Sequence, residues 1–236
     1  TVQALREGTD LVVQLSTGGA VTDPFEHRLR VLDADPDSCS LTCGTVNFGS
    51  DVFMNPWDFM VELYRKTQAL EIVRRLREAG LRVEGFVQAG TIDSLERKGY
   101  DLVRLHNEQR LELARPGSQE RPGEEAFCSW VFRQSAFGVA RDWAMEDGPG
   151  ADVIVVDEVS KLEAAGKGHH DVISWGLGRE DVKVMLLCVR ADQLFWVMEK
   201  FGLEQEPSAM MEVPAEPEGL REFAEALVER CTGAQG

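Results

Sequence analysis

Asp152-Val153-Ile154-Val155-Val156-Asp157-Glu158 is the stretch on which the fold turns. Four consecutive β-branched residues leave no polar face, so the spacing predicts a strand buried on both sides, ending in two carboxylates. Working outward, Lys183 to Val189 reads as another buried strand, and Leu81 to Gln88 as a third after a turn at Gly80. Helical patterns run around Ser135 to Met145, from Asp192 to Phe201 and from Pro217 to Cys231. Strands alternating with helices predict an α/β fold with a mostly parallel sheet and right-handed crossovers. Tyr100 to Leu105 pairs by pattern with Arg110 to Ala114 across His106-Asn107-Glu108 as a polar hairpin. Arg115 to Glu125, rich in Pro, Gly and Glu, reads as a loop.

Toward the N-terminus, Leu11 to Leu15 is an apolar strand ending in Ser16-Thr17-Gly18-Gly19. Pro24 to Leu32 is helix-like, with Asp23 placed to cap it and Pro24 at the first helical position. Ser38 to Thr42 is a second strand that runs into Gly44-Thr45-Val46-Asn47-Phe48-Gly49. Asn55 caps a further helix whose apolar positions, from Trp57 through Leu76, continue to Gly80. A helix from Pro56 to Ala79 is about 36 Å long at 1.5 Å per residue. Two helices joined end to end are the alternative.

The composition sets bounds. The net charge is −16 over 236 residues, −5 on residues 1–66 and −11 on the remainder. Such a surface repels phosphate backbones and anionic lipid, so neither nucleic-acid nor membrane binding is expected. A small anion can still be held where backbone N–H groups converge. No apolar run reaches membrane length and no signal-peptide pattern opens the chain, so a cytoplasmic protein is expected. The chain begins at Thr1 rather than Met, which leaves a processed or truncated start open. Five scattered cysteines (Cys39, Cys43, Cys128, Cys188, Cys231) form no CxxC pair. They read as plain buried thiols in a reducing compartment, with Cys39 and Cys43 on one face of a sheet.

Residues 1–66 resemble the β-keto acid cleavage enzymes, of 3-keto-5-aminohexanoate cleavage type. The motifs that carry this are Leu-Ser-Thr-Gly-Gly (15–19) and Gly-Thr-Val-Asn-Phe-Gly (44–49), followed by Asp51-Val52-Phe53 and Asn55. The resemblance implies a two-strand fragment of a (β/α)8 barrel, with both segments at the catalytic face. It also implies an enzyme that cleaves 3-keto acids with acetyl-CoA using a divalent metal, usually Zn2+. By resemblance, Ser16, Thr45 and Asn47 hold the substrate carboxylate and carbonyl. The family's metal site needs a His-x-His pair and a late Glu, and no His-x-His occurs in this chain. His27 reads as a surface or helix-packing residue.

Residues 67–236 resemble the small P-loop nucleoside triphosphatases, of THEP type and the molybdenum-transport-associated NTPase-like proteins. Leu70 to Gln88, the hairpin from Gly99 to Arg115, and the buried strand with Asp157-Glu158 followed by Lys161-Leu162-Glu163 carry the resemblance. It implies a P-loop-type α/β domain with a β-hairpin insertion. As a Walker B element, Asp157 would hold the Mg2+ of ATP or GTP and Glu158 would orient the attacking water. Lys66 and Thr67 stand where a Gly-Lys-Thr leads into the helix, as a last trace of that motif or by coincidence, and Arg190 is a phosphate or base contact by the same resemblance or else a surface salt-bridge residue. The glycine positions of that loop hold Met60 and Arg65, which cannot readily form a nest of backbone N–H groups.

The expected protein is therefore nucleotide-binding and NTPase-like with a degenerate phosphate loop, weak or inactive as written. A β-keto acid cleavage relative without its metal site and a non-catalytic fusion or scaffold are the alternatives, with an oligomer or partner chain left open as the means of completing a site. His169-His170 reads as an extended pair pointing apart, and Trp130, Phe132, Phe137 and Trp143 as core aromatics.

Overall fold

A computed structural model describes residues 2, 9, 12–17, 23, 25–34, 36, 38–40, 46–48, 51–53, 57–93, 96–203, 209–213 and 215–233. The chain divides into two compact units, Thr1–Thr67 with Gly90–Lys98, and Gln68–Ala89 with Gly99–Gly236.

In the first unit, β1 (Gln14–Ser16) and β2 (Ser38–Ser40) pair in parallel, with Gln14 opposite Ser38 and Ser16 opposite Ser40. Helix α1 (Phe25–Leu29) and a 3-10 turn, Arg30–Ala34, connect them. Val13, Leu29 and Leu32 are buried. Burying an apolar side chain of this size contributes about 1.5–3 kcal/mol. Arg28 is buried too, and its Nε donates to Thr17 O at 2.9 Å. β3 (Val46–Phe48) and β4 (Asp51–Phe53) form an antiparallel pair. Helix α2 (Trp57–Glu78) follows as one uninterrupted element, so the alternative of two helices joined end to end falls away.

The larger sheet has seven strands in the order β11-β10-β5-β6-β7-β9-β8. Its members are β5 (Val83–Asp93), β6 (Glu96–Arg104), β7 (Arg110–Pro116), β8 (Glu124–Phe127), β9 (Trp130–Arg133), β10 (Val153–Val159) and β11 (Val184–Val189). β10 is central to a parallel trio with β5 and β11. β6, β7, β9 and β8 extend the sheet with antiparallel pairs. The predicted hairpin is present, with Tyr100 opposite Ala114 and Asp101 opposite Glu112.

Period-two alternation on β10 distributes the core between two layers. Val153 and Val155 face Ile72, Val73 and Leu76 of α2 and Leu220 and Leu227 of α7 (Pro217–Thr232). Ile154 and Val156 face the opposite layer, where Ala136, Ala140, Trp143 and Ala144 of α3 (Gln134–Asp147) meet Val172 and Ile173 of α5 (His170–Leu177) and Val197 of α6 (Leu194–Phe201). The three alanines of α3 let that helix approach the sheet closely. Gly85 does the same for β5: its φ is +113°, and a Cβ there would stand 2.2 Å from Val155 O.

Three expectations need correction. Residues 124–133 form the hairpin β8–β9, so the loop read from Arg115 to Glu125 is bounded by strands at both ends. Cys128 lies at the tip of this hairpin, exposed and with φ +56°, because a two-residue connection leaves no element to cover it. It is not a buried thiol. His169 precedes and His170 begins helix α5, in place of an extended segment, and His169 is 1% exposed. Trp130 and Phe132 join the core from β9, and Phe137 and Trp143 from α3. Cys43 lies outside the described residues.

Candidate functional site

The C-terminal end of β10 carries the two carboxylates. Val156 pairs with Leu187 and Val159 with Val189, so Asp157 and Glu158 together face the single residue Cys188. This is a β-bulge, a device that re-aims side chains and concentrates near sites. Glu158 has φ +57°, a conformation that costs a non-glycine residue of order 1–3 kcal/mol and that surrounding structure must enforce.

Asp157 is held by backbone donors. The Gln88 N–H of β5 donates to Oδ2 at 3.0 Å, and the Glu158 N–H donates to Oδ1 at 2.9 Å. Loss of water around the carboxyl, with the charge of Glu158 adding to it, raises its pKa to about 7. The two amides and the Cys188 thiol pull the other way. Burial, and then the charge of Asp157, push the Cys188 thiol well above its ordinary pKa. The donor set fits a magnesium ion. Carboxylate oxygen is a hard ligand of the kind magnesium takes, and the two amide contacts fix both oxygens of Asp157 in place.

After the bulge, Glu163 organises the turn into α4 (Lys161–Ala164). Its Oε2 accepts the Ser160 N–H at 2.9 Å and its Oε1 accepts the His169 N–H at 3.0 Å. Burial raises its carboxyl pKa against both amides. A cleft of about 480 Å³ opens beside this helix, lined by Lys161, Gln193, Trp196, Glu199 and Lys200. Trp196 and its neighbour Phe195 are exposed.

Arg190, at the end of β11, donates its backbone N–H to Val159 O at 3.1 Å. Its guanidinium makes two 3.1 Å contacts with Asp192 and is about half exposed. The Glu158 charge also acts on it. Asp157, Glu158 and Arg190 are thus brought to one end of the parallel strands. Lys66 and Thr67 lie within helix α2, past its first turns. Backbone N–H groups there are used by the helix itself, so they are not free to cradle an anion. Ser16 ends β1 and is exposed, and Ser40 Oγ donates to its Oγ at 3.2 Å. Asn47 lies in β3. Thr45 lies outside the described residues.

Gln88 and Cys188 complete the surroundings of Asp157 and were not singled out from sequence. Their signal is register alone: Gln88 follows Phe86, which pairs with Val156, and Cys188 stands opposite the bulge.

A buried parallel trio flanked by helices on both faces, with carboxylates at its C-terminal end, defines a layered α/β protein. Residues 64–204 match the NTPase family model, and the chain belongs to that family. The solution structure of a human cancer-related nucleoside triphosphatase is similar in fold, with a TM-score of 0.55 at 16% identity, over 95% of this chain and 98% of that one. Residues 1–79 match the model of the beta-keto acid cleavage enzyme family. The 3-keto-5-aminohexanoate cleavage enzyme of Acetoanaerobium sticklandii is 42% identical over 62 residues, 25% of this chain and 23% of that enzyme. The enzyme of the same name from Fusobacterium nucleatum subsp. nucleatum is 43% identical over 56 residues, 23% of this chain and 21% of that enzyme. The chain spans less than a quarter of the length of these curated relatives.

Proposed function

We propose that this chain is a nucleotide-binding member of the NTPase family whose phosphate loop is degenerate, so that by itself it binds ATP or GTP weakly and hydrolyses little. The observation that supports this most is the bulge at the end of β10. It fixes Asp157 by two backbone amides and turns Glu158 out of the strand through a left-handed backbone. Asp157 would hold a magnesium ion, which when bound neutralises phosphate charge. Glu158 orients water. The adjacent cleft offers two lysines and an exposed indole, chemistry suited to an anionic ligand with an aromatic base. Degeneracy rests on the helical conformation of residues 57–67, where a phosphate nest would need a glycine loop. A partner chain or a second copy supplying phosphate contacts would complete such a site.

Calorimetric titration with Mg2+-ATP and Mg2+-GTP, on the wild type and on Asp157→Asn, tests this. Dissociation constants of about 1 mM or weaker, near −4 kcal/mol, are expected. Micromolar binding lost in Asp157→Asn would overturn the degenerate loop while keeping the site.

The parallel pair β1–β2, joined through α1 and ending at Ser16 and Ser40, favours a second reading, of residues 1–66 as a partial (β/α)8 barrel of keto-acid cleavage type. The sequence holds no His-x-His pair, so the residues present do not fit that family's zinc. In this reading Ser16, Thr45 and Asn47 are a carboxylate-binding remnant within a scaffold. Binding of a 3-keto acid, read by calorimetry with and without Zn2+, distinguishes the two.

A further inference from the structure

The first residues of β5, the β6–β7 turn and the last residue of α3 bring Glu84, His106 and Asp147 together, with one donor atom from each within 4.8 Å of the others. His106 Nδ1 stands 3.4 Å from Glu84 Oε1 and 4.0 Å from Asp147 Oδ1. Donors around tetrahedral zinc, at about 2.0–2.2 Å from the ion, stand about 3.4 Å from one another. The His106 ring nitrogen thus stands near coordinating separation from both carboxylates, and a small movement of the ring shortens the longer of the two distances. Glu84 is 5% exposed and Asp147 4%, whereas the His106 side chain is about half open to solvent.

A second observation points to a ligand. Glu84 Oε2 is buried and, among the described residues, has no hydrogen-bond partner. Folding that strips water from a carboxylate oxygen without supplying a donor is unfavourable unless something else fills the position.

The surrounding charges leave room for a cation. Arg82 Nε lies 3.1 Å from Glu84 Oε1, and Arg104 contacts both Asp147 oxygens, at 2.5 and 2.6 Å, and Glu146 at 2.9 Å. Three carboxylates face two guanidiniums, a net charge of −1 before His106 is counted. Arg82 is held by the carbonyls of Pro149 and Asp147 at 3.0 and 2.8 Å and stays beside Glu84 Oε1, which leaves Oε2 open, while Arg104, with its side chain 8% exposed, fixes both oxygens of Asp147.

We propose that Glu84, His106 and Asp147 form a site for one divalent transition cation of the zinc type, with water in the remaining position. An imidazole with two carboxylates suits zinc, nickel or cobalt better than magnesium, which takes oxygen alone. Glu84 and Gln88 are four residues apart on β5, about 13 Å at strand rise. The site is thus separate from the Asp157 end and does not depend on nucleotide binding. Because its ligands come from three elements, an ion bound there stabilises the folded chain.

Titration of the purified protein with Co2+, followed by visible d–d absorption and back-titrated with Zn2+, tests the site. One equivalent with a tetrahedral-type band, displaced by Zn2+ and accompanied by a rise in Tm, is expected. His106→Ala alters an exposed turn side chain and should weaken binding at least tenfold with the fold intact by circular dichroism. Glu84→Gln should do the same, and His170→Ala and Cys128→Ser should change nothing. Absence of a cobalt band together with no Tm rise on adding Zn2+ would overturn the proposal. So would binding that survives His106→Ala unchanged.

Discussion

The Gln88 N–H on β5 donates to Oδ2 of Asp157 on β10 at 3.0 Å, so a backbone amide of one parallel strand fixes the terminal carboxylate of the next. Beyond this point β10 leaves its regular pairing, and Glu158 takes up its left-handed backbone. The amide contact orients the carboxyl without neutralising it. Asp157 therefore keeps a proton affinity raised by lost hydration, at some expense to the fold.

Asp157→Asn should accordingly stabilise the protein near neutral pH. Removing a desolvated charge should gain more than the loss of one of its two amide contacts costs, since Asn keeps only one acceptor oxygen, and unfolding free energy should rise by about 1–3 kcal/mol. Chemical denaturation at pH 7.5 measures it. A variant less stable than the wild type would show that the paired amides of Gln88 and Glu158 hold the carboxylate more strongly than burial disfavours it.

Gly85→Ala should be among the most damaging small substitutions in the sheet. The new Cβ would meet Val155 O at 2.2 Å with φ at +113°, and the obstacle is backbone that cannot swing aside. A loss of about 3 kcal/mol or more is expected in urea denaturation. A loss below about 1 kcal/mol would mean that β5 and β10 approach less closely than described.

His169→Leu should raise stability, and raise it more in acid. Both ring nitrogens of His169 are buried without hydrogen-bond partners among the described residues, and its ring lies against Phe86 at 4.5 Å and Phe137 at 5.0 Å. Burial lowers its pKa to about 3, below the unfolded value of about 6.5. The neutral ring is thus tolerated above about pH 6.5, and stability falls as pH drops from there toward the folded value. The difference between variant and wild type should widen by about 2 kcal/mol between pH 7.5 and pH 5. An unchanging difference would show that the imidazole is hydrated or paired.

Asp152→Asn should act in the opposite pH range. Its carboxylate takes the Lys183 ammonium at 2.7 Å and the Arg82 N–H at 2.8 Å, which tie the starts of β11 and β5 to β10. Lys183 first, then the Arg82 amide, hold its pKa below the usual carboxylate range. That contribution is present above the unfolded pKa of about 3.9 and is lost as pH falls through the folded value. The substitution should cost about 1 kcal/mol at pH 7 and little at pH 3, as read from thermal unfolding at both.

The elements of the larger unit were legible because their signals are local. Four β-branched residues in a row specify β10, period-two pairing across a polar turn specifies β6–β7, and proline at the start of α7 marks where that helix begins. The hairpin β8–β9 was not legible. Glu124-Glu125-Ala126-Phe127 and Trp130-Val131-Phe132-Arg133 show no clean alternation, and their pairing is imposed by β7 alongside.

The sequence by itself determined that Asp157 and Glu158 end a buried strand and that residues 57–67 lack the glycines of a phosphate loop. Composition and short-range spacing suffice for both, since each depends on which side chains follow one another. Only the tertiary structure decided that β10 bulges against Cys188, that Gln88 clamps Asp157, and that Glu84, His106 and Asp147 meet. Those relations depend on strand register and on where a helix ends against a sheet. Register is set by the packing of whole layers, which no local pattern records.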